Sequence, residues 1–299
     1  MTQMIEKNTK HGMGVSLVLL SSLMFGSYGI WSRLMGSSDF GVFYQGWSRA
    51  LIIILILTPI IFYKREVVKI EKQDRGWLAV FLLFTSATQA PIYYAFNHMD
   101  IGTATLLFFV TILITMYIVG AVFLNEKLTK VKIVSFAFAL IGMYLVFSIS
   151  ITTFSVLAVS MAILNGVASG GEISFSKKLS SKYSALYLTW LSWLIIILIN
   201  ALFSFALGEI QHLPSLDVVW LYQIGYVIAG IIGFWAVIQG LRYIETGIGG
   251  LLGLMEIVFS IAFGILVFKE VLSPRVVLGG LVIVIAAAVP HLVDLIKKD

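Results

Sequence analysis

No cysteine occurs among the 299 residues, so disulfides, thiol nucleophiles and thiolate metal sites are excluded together. Charge is almost as scarce. Asp, Glu, Lys and Arg make up 12% of the chain, about half of what a soluble globular protein carries. No aspartate falls within an apolar run, no HExxH occurs, and His11, His98, His212 and His291 stand singly at the ends of such runs. A membrane enzyme therefore lacks the metal or nucleophile constellation it would need, and no cofactor is called for. The net charge of +5 does not point to nucleic acid, because the basic residues sit in short loops between apolar segments, where membrane topology accounts for them.

What is present is apolar. Hydrophobic residues make up 60% of the sequence, and the mean hydropathy is +1.01, which identifies an integral membrane protein. Runs of roughly 18–24 residues suffice to cross ~30 Å of hydrocarbon at about 1.5 Å per residue. Ten such runs occur, at 15–32, 42–63, 76–97, 101–124, 131–148, 154–176, 184–207, 218–241, 247–268 and 276–292. The first has no small-x-small cleavage site and is read as retained. With the amino terminus inside, sixteen Lys and Arg fall on the cytoplasmic side and three outside, with Arg49 inside a span. That bias predicts a multi-pass protein of the inner membrane with both termini cytoplasmic.

The chain also resembles itself at a shift of about 144 residues. SSLMFGSYGIWSRL (21–34) lies over NGVASGGEISFSKK (165–178), with Gly26 on Gly170 and Arg33 on Lys177. LIIIL (51–55) meets IIILI (195–199), and NEKLT (125–129) meets KEVLS (269–273). Each copy holds five spans, an odd number, so the second must insert upside down relative to the first. The fold expected is all-α: ten transmembrane helices as two inverted five-helix repeats, residues 1–150 and 151–299, around a central cavity. Inverted repeats of this kind place substrate near the bilayer midplane between the halves, whereas a channel would need a continuous pore.

These features are similar to those of the drug/metabolite transporter superfamily, in particular its EamA-type members. The resemblance rests on the two five-span repeats, Gly102-Thr-Ala-Thr-Leu-Leu opening the fourth span, and Glu126-Lys-Leu-Thr and Glu270-Val-Leu-Ser following the fourth and ninth. It implies alternating-access movement of small metabolites, often amino acids or other amphipathic compounds, and often outward. The second copy reads Thr246-Gly-Ile-Gly-Gly where the first reads Gly-Thr-Ala-Thr, so the halves need not contribute equally.

The candidate site centres on Glu256, a carboxylic acid deep in the ninth span. A charge at the centre of a membrane helix costs about 2.5–3.5 kcal/mol on insertion scales. Gly249, Gly253, Glu256, Ser260 and Gly264 share one helix face, a polar stripe that must look into the bundle. Thr111 and Thr115 form the corresponding stripe on the fourth span. Glu256 is read as a substrate and proton-coupling site, the alternative being a hydrogen-bonded packing residue. The sixth span supplies Asn165, Ser169 and Glu172, with Glu172 near enough to Lys177 for an interfacial ion pair as its alternative. Arg49 either snorkels outward or holds a substrate carboxylate. Gln89 and Tyr94 beside the kink expected at Pro91, Tyr28 on the first span, and Trp235 and Gln239 on the eighth complete the substrate-binding set. Glu126 and Glu270 are read as gate or helix-end residues. Thr129 and Ser273 are expected to cap the helices that follow, the second opening with Pro274. Gly166-x-x-x-Gly170 and Gly249-x-x-x-Gly253 permit close helix approach within the bundle or in a homodimer. The partners expected are lipid and a small-molecule substrate. An amino acid is the first reading, and an organic cation held in an aromatic cage beside Glu256 is the second.

Overall fold

The computed structural model describes residues 2–35, 39–147 and 155–296. Ser148, Phe154 and the expected repeat boundary at 150/151 lie outside the described residues, as do Lys297 and Lys298. The described chain is helical, without strands.

The first span is α1 (Thr2–Gly26) and α2 (Tyr28–Met35), the second α3 (Val42–Tyr63), and the third α4 (Arg75–Ser86) and α5 (Ala90–His98). The fourth is α6 (Ile101–Phe123) and the fifth α7 (Lys130–Val146). The second copy follows with α8 (Val156–Ser180), α9 (Ala185–Ala206) and α10 (Val218–Leu241). Its ninth span is α11 (Thr246–Gly253) and α12 (Met255–Phe268), and its tenth is α13 (Pro274–Ile296). Eight of these, counting each interrupted helix as one, are long and apolar enough to cross a membrane; Pro274–Pro290 is a shorter apolar helix, and the 17-residue α7 completes the ten.

Helix ends follow local chemistry. Asp100, Thr129, Ser155 and Ser184 each accept a backbone N–H three residues on, which satisfies a donor the helix itself leaves unpaired. Val276 N–H bonds the Ser273 hydroxyl at 3.4 Å, with Pro274 opening α13. Pro91 cannot donate to the carbonyl four residues back, and the third span breaks between α4 and α5 at Ala87–Gln89. Asn165 Nδ2 donates to the Thr88 carbonyl within that break, at 2.6 Å. Leu55, Leu83, Ile118, Leu202, Leu221 and Leu266 are exposed, as a lipid-facing surface requires.

The two copies are related in space as well as in sequence. α6 packs on α8, and α1 packs on α11 and α12. A Cβ on Gly170 would stand 2.7 Å from the Ile112 carbonyl oxygen, and one on Gly26 would stand 2.9 Å from that of Glu256. Both pairs are separated by the same 144-residue shift, so the crossings of spans 4 and 6 and of spans 9 and 1 are counterparts. α3 packs against α9 and α7 against α13, pairing span 2 with 7 and span 5 with 10, while α4 and α5 of span 3 pack on α8 as α10 of span 8 packs on α1 and α2.

Candidate functional site

Between the copies lies a cavity of about 550 Å³. Its walls come from nine of the ten spans. The first copy gives the halves of its spans farther from the amino-terminal face, with Ser32 near the end of α2, Phe96 near the end of α5, Thr105 near the start of α6 and Phe147 after α7. The second copy gives the middle of its spans, with Glu172, Trp193, Phe234 and Glu256. Most of the wall is apolar, and the polar residues are few enough to be taken singly.

Arg49, on α3, is 2% exposed. It does not snorkel outward. Its guanidinium lies 3.9 Å from the Tyr226 ring centroid, 4.9 Å from Tyr28 and 5.0 Å from Trp193. Three aromatic faces hold the cation through their quadrupoles, while its Nε and Nη1 have no hydrogen-bond partner among the described residues. Buried donors on a charged group are costly to leave unpaired, and the cavity is where an acceptor can reach them.

Two carboxyl groups share the same space. Glu172 on α8 is buried and accepts the Thr85 hydroxyl at 2.8 Å, while Lys177 turns away to Glu126. The interfacial Glu172–Lys177 pair considered from the sequence is not formed. Glu256 sits in the first turn of α12, just past the interruption at Leu254. It lines the main cavity and also a void of about 50 Å³ with Ser21, Ser22 and Gly253. No hydrogen bond or ion pair engages its carboxylate among the described residues. Ser260 lines the cavity and donates to the Gly26 carbonyl at 3.0 Å.

Of the other residues singled out from the sequence, Tyr28, Gln89 and Asn165 line the cavity. Thr111 and Thr115 do not; each turns its hydroxyl back onto its own helix, bonding Leu107 O at 2.7 Å and Thr111 O at 2.8 Å. Their side chains meet Gly166 and Gly170 at the α6–α8 crossing. Tyr94 stacks on His98 with centroids 4.0 Å apart. Trp235 packs against the main apolar cluster, and Gln239 bonds Tyr243 and Arg242 toward the amino-terminal face. The cavity also takes Tyr93, Tyr226 and Trp193, which the sequence did not single out. Tyr93 and Tyr94 are adjacent, and only the rotation of α5 after the break decides which of them faces inward.

The amino-terminal face is shut by charge. Glu126, just past α6, accepts Lys177 Nζ at 2.6 Å, the Thr246 amide at 2.8 Å and the Thr246 hydroxyl at 2.7 Å. Burial alone would push its carboxyl up, but Lys177 and the Thr246 donors outweigh that and hold it below the usual carboxylate range. Lys132 pairs with Glu245, and Arg242 bonds the Ser180 carbonyl. On the opposite face Arg33 pairs with Glu270.

A family model described as the EamA-like transporter family matches residues 12–148 and 156–289. A solved structure, titled only as the crystal structure of a protein, superposes with a TM-score of 0.71 at 14% identity. The match covers 94% of this chain and 96% of the other, and at that identity it shows a shared fold alone. No curated protein matches the chain.

Proposed function

This chain belongs to the EamA-like transporter family, and we propose that it carries a small amphipathic metabolite, an amino acid or a close relative, across the cytoplasmic membrane by alternating access. The observation that supports this substrate class is Arg49, whose buried Nε and Nη1 have no acceptor among the described residues beside a cavity that also holds Glu256 and Glu172. A guanidinium suits a carboxylate, and an acid suits an ammonium group, so a zwitterion finds both of its charges answered. A cavity of about 550 Å³ suits a small metabolite. Lys and Arg crowd the loops of the amino-terminal face, which on the positive-inside rule is cytoplasmic; the cavity then opens outward, and the carrier serves as an exporter or facilitator. Glu256 is the proton-coupling group in this reading.

An organic cation is the second reading. The aromatic faces that would cage it, those of Tyr28, Tyr226 and Trp193, already hold Arg49, and a second cation there would meet a like charge. The deciding experiment is counterflow of labelled amino acids and organic cations in proteoliposomes. Amino-acid exchange weakened in Arg49→Met, through a KM raised at least about tenfold, is the expected outcome. Cation exchange that survives in Arg49→Met would establish the second reading, and uncompeted flux without counterflow would indicate a channel.

A further inference from the structure

We propose that Arg33 and Glu270 form a latch that clasps the amino-terminal end of α6 when the cavity closes on the face opposite the chain termini. This rests on the alternating-access reading above.

The latch is the second copy of one already engaged. Asn125 and Lys269 both adopt positive φ, 55° and 57°, and each hands the chain to a glutamate. Glu126 N–H then bonds the Gly120 carbonyl at 2.9 Å, and Glu270 N–H bonds the Gly264 carbonyl at 3.2 Å. A Cβ on Gly120 would stand 2.6 Å from Glu126 Oε2, and one on Gly264 would stand 2.5 Å from Glu270 Oε2. Both glycines thus cradle a carboxylate in one orientation. Each carboxylate pairs with the basic residue of its facing helix, Lys177 for Glu126 and Arg33 for Glu270. Every one of these correspondences falls at a shift of 144 residues. Arg33 is further fixed over the Phe268 ring, 4.1 Å from its centroid.

One element of the device differs between the faces. Glu126 also takes the amides of Thr246 and Gly247, which open α11, and that face is closed. In this stretch the shift is 145 residues, so the corresponding residues of the first copy are Ile101 and Gly102, which open α6. There the cap is Asp100, which accepts the Thr103 amide at 2.8 Å. The Arg33 and Glu270 side chains are 59% and 47% exposed, against 19% and 9% for Lys177 and Glu126. The far-side pair therefore stands assembled with its carboxylate turned to solvent rather than to a helix start. When the cavity closes on that side, the start of α6 takes the place beside Glu270 that α11 now holds beside Glu126. Glu126 releases Thr246 in the same movement. A carboxylate is favoured at either helix start by the partial positive charge there, so the two closed ends compete for the same kind of stabilisation.

The chain has no native thiol, so introduced cysteines report alone. Ile101→Cys and Val271→Cys flank the expected contact and are to be joined by a short bismaleimide in proteoliposomes. Phe96→Cys, on the cavity wall, is to be labelled by an impermeant maleimide from the far face. Glu270→Gln should lower the cross-link yield about tenfold and leave Phe96→Cys accessible, whereas Glu126→Gln should raise the yield and slow the labelling about tenfold, the population change that one lost contact makes between balanced states. A cross-link yield unchanged by Glu270→Gln, or both variants moving the labelling in the same direction, would overturn the latch. Should Glu126→Gln fail to fold, the exposed Glu270→Gln decides alone. Neither readout needs substrate: absent counterflow would remove the carrier reading, while counterflow with unmoved labelling would remove only the latch.

Discussion

At the scale of single residues, two side chains carry the argument. Arg49 is a buried cation whose aromatic neighbours satisfy its charge but not its Nε and Nη1 donors. Replacing it with Met keeps most of the volume and removes a desolvated charge, a change that is often neutral or stabilising. The expected result is a folded protein with unchanged thermal stability whose KM for the carboxylate substrate rises by about tenfold to a hundredfold, the range of ~1.4–3 kcal/mol for a charge-assisted contact. Arg49→Lys should recover little of this, because an ammonium lacks the planar fork. Initial-rate counterflow measures both, and a wild-type KM in Arg49→Met would contradict the assignment. Glu256 is tested differently. Gln keeps its shape and cannot ionise, so Glu256→Gln should flatten the pH dependence of transport between pH 5 and 8 while folding is retained. A wild-type pH profile in that variant would end the proton-coupling role.

At the scale of elements, the crossings of α8 with α6 and of α1 with α12 depend on glycine. At Gly170 an added Cβ would meet backbone oxygen at 2.7 Å, and at Gly26 at 2.9 Å. Neither neighbour is a flexible side-chain end, so Gly170→Ala and Gly26→Ala should each destabilise by about 1–3 kcal/mol, the usual cost of overpacking. Gly253→Ala meets nothing within 4 Å and serves as the neutral control. Thermal unfolding in detergent compares the three, and equal midpoints would remove the close-packing account. The same crossings show what was legible in the sequence and what was not. Asn165 and Glu172 could be placed because an uninterrupted helical period along α8 fixes which face looks inward, and Glu256 and Ser260 because they share one period within α12, past the interruption at Leu254. Thr111 and Thr115 obey that period too, yet the glycines of α8 bring the helices so close that no cavity remains between them. In the third span the break at Ala87–Gln89 resets the helical phase, so Tyr93 and Tyr94 could not be told apart by spacing. Tyr226 and Trp193 had no charged residue near them in sequence to mark them, only Gln223 and Ser192; Arg49, on a different span, draws them into the site.

At the scale of the whole molecule, inverted duplication gives two faces made from one set of parts, and the difference between them defines the state. On the amino-terminal face Glu126 joins α6, α8 and α11 through Lys177 and Thr246. Its carboxyl lies below the usual range, so the charged form stabilises this closed arrangement. That contribution is complete above the ordinary glutamate pKa of about 4.3 and is lost as pH falls through the lowered value. Thermal midpoints of the wild type and Glu126→Gln should therefore be well separated at neutral pH and converge in acid. The expected gap is about 1–3 kcal/mol, the cost of leaving the Lys177 and Thr246 donors with a weaker acceptor. The slope also has a sign that distinguishes this from generic acid loosening. The wild type should lose stability with acid faster than the variant, because only the wild type has a carboxylate there to protonate. Parallel curves from pH 7 down to pH 3 would show that Glu126 does not hold the face closed. The closure would then rest on Lys132 with Glu245 and on Arg242 with Ser180, which join other helices across the same face.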